Sequence, residues 1–256
     1  MALYHLSTRV ISRAQGRSAV AAAAYRSAER LVDERTGLVH DYTRRSRHEI
    51  EGWIEVPEQA PEWARERSEL WNRATAAETR RNSRTAREIE VALPVELSRE
   101  AQNGLVRSWV REELVARGLA ADVSVHRDPD GRNPHAHVLM TTREIGAEGF
   151  GRKDREQDRG EQLGRWREGW ADRTNRELER AGVRERIDHR SHRDRGIDRE
   201  PTVHEGPYVR ELESRGYRTD RADENREIRT RNAERERERR EIERDRTHTR
   251  GREIER

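Results

Sequence analysis

The chain has 256 residues, room for one α+β domain and an appendage, and 31% hydrophobic against 41% charged residues confines any core to part of that length. Lys153 is the only lysine among 54 basic residues, and a net charge of +3 excludes holding polyanions by bulk charge; any such footprint must come from arranged arginines, which fork onto phosphate and stack on bases. The absence of cysteine excludes a disulfide scaffold, and without a long apolar run or a leader-like segment the sequence predicts a cytoplasmic protein with no membrane span.

Residues 2–8 read as a first strand. Ser18 can cap a helix over 17–32, whose alanine run has the highest helix propensity and whose Val20, Ala24, Ala28 and Leu31 form a buried stripe. Tyr25 falls beside that stripe with only Ala21 and Ala22 one turn back. Its phenol is therefore expected to stand clear of bulky neighbours at the edge of the core, and helix position alone fits an amphipathic tyrosine that wets its hydroxyl as well as a nucleophile. A turn at 35–37 leads into a short strand over 38–42, and Pro61 opens a helix carrying Trp63, Leu70, Trp71 and Ala74. A strand over 88–93 stops at Pro94; alternation puts Glu88 and Glu90 on one face and Ile89 and Val91 on the other. Ser98 caps a helix that ends at Gly118, with Leu105, Trp109 and Leu114 inward.

Two strands follow around the turn-rich loop from Asp128 to Pro134, then a polar, glycine-dotted loop over 144–160 and a helix with Leu163, Trp166, Trp170 and Leu178 that ends at Gly182. From Asp220 onward Arg and Glu dominate and large apolar residues are rare, which predicts a solvated helix or disordered tail, with a binding arm as the alternative. The order of elements predicts an α+β fold, an antiparallel sheet with flanking helices. The expected divisions are a main domain over 1–195, an extension over 196–225 and a charged tail over 226–256.

The stretch from Val123 to Thr141 carries the chemistry. Alternate strand residues share a face, so His135 and His137 point the same way, and His126 across the loop can reach that face. Three neutral imidazoles with no thiolate leave coordination positions for water or a phosphate oxygen, the pattern of a catalytic metal site. The alternative is three polar side chains on a solvated hairpin.

These residues give the chain a family resemblance. Tyr4-His5-Leu6-Ser7, the alanine-rich segment around Tyr25, Arg30 to Gly37, Arg87 to Pro94, Asn133-Pro134-His135-Ala136-His137, Ile187 to Ser191 and Gly216 to Asp223 resemble, in order, the MobA/MobL plasmid-mobilisation relaxases of the HUH endonuclease superfamily. The likeness extends over most of residues 1 to about 225. It implies a relaxase palm in which Tyr25 is the nucleophile, His126, His135 and His137 hold Mg2+ or Mn2+, and the acidic strand lies in the active site, with Glu88 and Glu90 as base or orienting groups in an order left open. A phenol ordinarily titrates near 10, so attack at neutral pH needs the metal's field or a carboxylate to take the proton. The implied substrate is single-stranded DNA at a transfer origin, with accessory mobilisation proteins and a coupling protein as partners. Arg87, Arg127, Arg132 and Arg143, within or beside these strands, are the expected DNA contacts. A replication initiator or transposase of the same superfamily would share the chemistry but not the upstream tyrosine, and a non-catalytic single-strand binder would need none of these groups. No Walker A loop is present, so unwinding would come from elsewhere.

Overall fold

A computed structural model describes residues 4–45, 49–128, 130–131, 133–203 and 205–254. Residues 2–3 of the expected first strand and Arg132 lie outside the described residues. The chain divides into two compact units, residues 1–189 and 190–256.

In chain order the first unit contains β1 (Leu6–Ser12), α1 (Ala19–Ser27), β2 (Arg30–Asp33), β3 (Leu38–Asp41), β4 (Glu49–Glu55), α2 (Arg67–Ala76), β5 (Arg84–Ala92), α3 (Arg99–Glu113), β6 (Ala121–Arg127), β7 (His135–Thr141), β8 (Arg143–Gly146), β9 (Gly149–Lys153) and α4 (Gly160–Arg180). Five strands form one antiparallel sheet in the order β1-β5-β7-β6-β4. Alternation along the strands gives the sheet two apolar faces. Ile89, Val91, Val123, Val125, Ala136, Val138 and Met140 pack under α3 and α4, where Trp109 and Trp170 meet edge to face at 5.7 Å. On the other face Ala86, Ala120 and Leu139 pack against α1 and α2 through Val20, Ala23, Ala24, Leu70 and Trp71.

The first strand lies further along than expected, because its pairing with β5 runs from Leu6 opposite Val91 to Ile11 opposite Ala86. Ser18 caps α1 as its sequence suggests, accepting the Ala21 N–H at 3.2 Å. The helix nevertheless stops at Ser27 and does not reach residue 32, because Ala28 turns left-handed at φ 54° and Leu31 obtains its burial from β2. Pro61 opens a single 3-10 turn over Glu62–Arg65, and α2 starts only after it. β4 has no counterpart in the sequence expectations: its Glu49-Ile50-Glu51-Gly52-Trp53 run looks like a solvated segment, yet it pairs with β6 along seven residues. Gly52 permits that approach, since a Cβ there would stand 3.2 Å from the Val123 carbonyl oxygen and from Arg67 Nη2. The expected loop over 144–160 instead holds the β8–β9 hairpin, with Ile145 buried and Phe150 tilted onto Trp63 at 5.6 Å.

The α2 layer is fastened to the sheet by a buried polar group. Asp122 on β6 accepts from Arg67 Nε at 2.8 Å and Nη2 at 2.9 Å, and from Trp71 Nε1 at 2.9 Å. Its two oxygens thus satisfy a planar guanidinium fork and an indole N–H that would otherwise be buried without partners.

The second unit contains α5 (Gly206–Ser214) and α6 (Asp220–Ile254). Contrary to the expectation that this tail buries no face, Ala222, Asn225 and Ile228 are buried. Two asparagines two helical turns apart clamp the extended segment before α5. Asn225 accepts the Val203 N–H and donates to its carbonyl at 2.7 and 2.8 Å; Asn232 does the same for Glu200 at 2.8 and 2.8 Å. Further along α6, pairs such as Glu236 with Arg240 at 2.5 Å line the helix surface, and Ile242 is exposed. No helix among the described residues is long and apolar enough to cross a membrane.

Removing one partner from a buried ionic cluster leaves the others uncompensated, so Asp122→Ala is expected to lower the unfolding free energy by about 3 kcal/mol or more. Urea denaturation followed by tryptophan fluorescence checks this; an unchanged midpoint would show that the cluster does not fasten α2.

Candidate active site

The centre is set by strand register. His126 on β6 stands directly opposite His135 on β7, and His137, two residues on, stands opposite Ser124. All three rings therefore leave the sheet on the α1 side, with centroids 5.4, 4.8 and 5.1 Å apart, and one nitrogen from each lies within 4.8 Å of the others. The last turn of α1 reaches this place, for the carbonyl of Arg26 lies 2.7 Å from His126 Nε2.

Two of the rings have a hydrogen-bond partner that can only accept, which assigns the proton, and the third has a carboxylate beside it. His126 Nε2 donates to the Arg26 carbonyl, His135 Nδ1 donates to the Asn133 carbonyl at 2.8 Å, and His137 Nδ1 lies 2.9 Å from Glu88 Oε1. The lone pairs then fall on Nδ1 of His126 and on Nε2 of His135, and the carboxylate beside His137 Nδ1 favours the proton there and the lone pair on Nε2. Outer acceptors of this kind fix ring orientation and raise ligand basicity, so the donor set fits a divalent metal ion. Burial favours the neutral ligand form. It is the main reason the His126 pKa is lowered to about 3, with repulsion from His137, His135 and Arg26 adding and the bond to the Arg26 carbonyl opposing. Burial likewise lowers His137, against the pull of Glu88.

The two acidic residues of β5 differ in environment. Glu88 is buried: burial alone would raise its pKa, but contacts with His137 and Arg26 outweigh that and hold it at about 2. Its Oε1 lies 2.5 Å from Arg26 Nε. Glu90 is half-exposed, 3.7 Å from His137 Nδ1 and 3.7 Å from His5 Nε2.

Tyr25 lies in the last turn of α1, half-buried. Its ring does not stand clear of bulky neighbours as expected; it meets Tyr42 edge to face at 5.2 Å and has the Arg26 guanidinium 5.1 Å from its centroid.

Of the expected arginines, the three described, Arg87, Arg127 and Arg143, are not gathered at the histidines. Arg87 shares the Ile89 face and bonds Asp158 at 2.6 Å beside Trp166. Arg127 shares the Val125 face and is buried, donating to Asn103 at 2.9 Å and approaching Glu51 at 3.2 Å. Arg143 bonds Glu78 at 2.9 Å in a basic cavity of about 950 Å³ at the other end of β5 and β7. Among the described residues the arginine that does reach the centre is Arg26, and the one sequence signal for it is its place beside Tyr25.

The model of the MobA/MobL family matches residues 17–215. The probable mobilization protein MobA of Bifidobacterium longum strain NCC 2705 is 35% identical to this chain, over 91% of the chain and 48% of its own length. Mobilization protein MobL of Acidithiobacillus ferridurans is 38% identical, over 84% of the chain and 65% of its own length. The chain thus spans about half to two thirds of these relatives. A solved structure presented as the molecular basis of vancomycin resistance transfer in Staphylococcus aureus superposes with a TM-score of 0.69 at 30% identity, over 74% of this chain and all of that one.

His126→Ala, His135→Ala and His137→Ala are each expected to weaken Mn2+ binding by at least about 100-fold, more than the loss of an outer partner costs, with circular dichroism unchanged. Isothermal calorimetry gives the affinity. Wild-type affinity in all three variants would leave the histidines as polar groups with no metal to hold.

Proposed function

The chain belongs to the MobA/MobL family, and from that membership we propose that it nicks one strand of DNA at a plasmid transfer origin by transesterification, keeps the 5′-phosphate on Tyr25, and later reseals the strand. The observation that carries this reading is an open three-histidine centre at the end of the helix bearing Tyr25.

A divalent ion held by His126, His135 and His137, Mg2+ or Mn2+ in this reading, would draw charge from a scissile phosphate oxygen and orient the phosphorus. Tyr25 supplies the nucleophile: its oxygen bonds phosphorus, the phosphorus–O3′ bond breaks, and the 3′ oxygen leaves and takes up a proton. The new phosphodiester keeps the energy of the old one, so the 3′-OH can reverse the step and close the strand. Glu88, buried between His137 and Arg26, is placed to orient an imidazole. Glu90, with its carboxylate in reach of solvent, is the group assigned to take the phenol proton. Arg127 and Arg87, engaged inside the protein, serve the scaffold in this reading. Arg132, which lies between β6 and β7 in the sequence, is kept as a phosphate contact, and Arg143 as a more distant one.

Catalysis is assigned to residues 1–195, with 196–225 as its extension and 226–256 as a charged tail. The partners that go with this role are single-stranded origin DNA, accessory mobilisation proteins and a coupling protein, in the bacterial cytoplasm. A replication initiator or transposase would use the same groups, and family membership favours mobilisation.

Tyr25→Phe is expected to abolish the denaturant-resistant adduct on a single-stranded oligonucleotide from the origin region of the cognate plasmid while keeping most of the binding; an adduct that persists removes Tyr25 from its role. Glu90→Gln is expected to lower the nicking rate by about 100-fold or more and alter its pH profile with normal Mn2+ affinity. Glu88→Gln is expected to weaken Mn2+ binding by roughly 10 to 100-fold. Calorimetry and rate–pH curves on both variants decide the assignment, and the reverse pattern would exchange the two roles.

A further inference from the structure

Arg26 makes three connections from three parts of one residue. Its carbonyl receives His126 Nε2 at 2.7 Å, its Nε lies 2.5 Å from Glu88 Oε1, and its guanidinium carbon lies 5.1 Å from the centroid of the adjacent Tyr25 ring. Glu88 passes the link on, because the same Oε1 lies 2.9 Å from His137 Nδ1. Two of the three imidazoles are thus tied to α1 through this residue.

The helix is also brought to a stop just after it. Ala28 takes φ 54°, the one left-handed non-glycine residue among those described, and its N–H bonds the Ala24 carbonyl. A Cβ is disfavoured in that region, so the stop is held by its surroundings. Glu29 supplies a hold on the far side through an ion pair with Arg67, itself fixed to Asp122 on β6. The end of α1 is therefore clamped between a strand that carries a histidine and a strand that carries the acidic pair.

We propose that Arg26 is the positioning residue that couples the Tyr25 helix to the metal centre, acting through Glu88 and not by contact with DNA. The coupling rests on the reading of Tyr25 as nucleophile, but the part that runs from Arg26 through Glu88 to His137 does not. Without the guanidinium, Glu88 keeps one of its two close partners and the last turn of α1 loses its ion pair with β5. A displacement of about 1 Å at a reacting group costs on the order of 100-fold in rate.

The test is a double-mutant cycle of Arg26→Ala and Glu88→Gln in the full chain, read by Mn2+ calorimetry without DNA and by nicking kinetics with an origin oligonucleotide. Arg26→Ala is expected to weaken Mn2+ binding by roughly 10-fold and to lower kcat by about 100-fold with KM within about twofold. The double variant is expected to bind Mn2+ no worse than the poorer single variant, because residues that act through one another do not add. Wild-type affinity and kcat in Arg26→Ala overturn the proposal, as do fully additive losses in the cycle. A raised KM with unchanged kcat would instead make Arg26 a DNA contact. If the wild-type protein forms no adduct, the nicking reading fails, while the DNA-free Mn2+ cycle still decides whether Arg26 acts through Glu88.

Discussion

The register between β6 and β7 is the constraint from which the centre follows. Side chains in a strand alternate with a period of two, so a slip of one residue would carry a whole row of side chains to the opposite face. Here Val123, Val125, Ala136 and Val138 lie under α3 and α4, and their burial is what forbids the slip. With those four on the covered face, the three imidazoles must share the α1 side, and the observed register sets His126 opposite His135. The site's geometry is thus paid for by apolar contacts on the face it does not use.

The same alternation carries the acidic strand. Ile89 and Val91 take the buried positions, so Glu88 and Glu90 face the imidazoles, and β5 lies next to β7 in the sheet. Depth then separates the two carboxylates. Glu88 sits one register step toward the covered half of the face and is buried between two donors, whereas Glu90 lies toward the open end. Identical side chains two residues apart thereby acquire different chemistry.

Local signals in the sequence were enough for the hairpin of histidines, the Ser18 cap and the tryptophan faces of α3 and α4, because each is written within a few residues. What escaped depends on partners distant in the chain. β4 becomes a strand only because β6 offers it a ladder, and its acidic run gives no sign of that. α1 ends at Ser27 because β2 and the sheet claim the residues after it, although propensity would carry the helix on. The link from Arg26 to Glu88 and that from Arg67 to Asp122 join residues more than fifty positions apart. The placement of Arg87 and Arg127 was within reach of sequence reasoning: they alternate with Glu88 and His126, so they belong to the opposite face, and proximity in sequence to the site obscured this.

The asparagine clamp of the second unit works as a ruler. Seven residues of helix advance about 10.5 Å, and three residues of extended chain advance roughly 10 Å. Asn225 and Asn232 therefore fall in step with Val203 and Glu200, each amide meeting both backbone polar groups of one residue. What the clamp reads is length and not side-chain identity. Residues 201 and 202, whose backbone the two amides do not touch, can drift in composition, whereas a single inserted or deleted residue puts one of the two amides out of step.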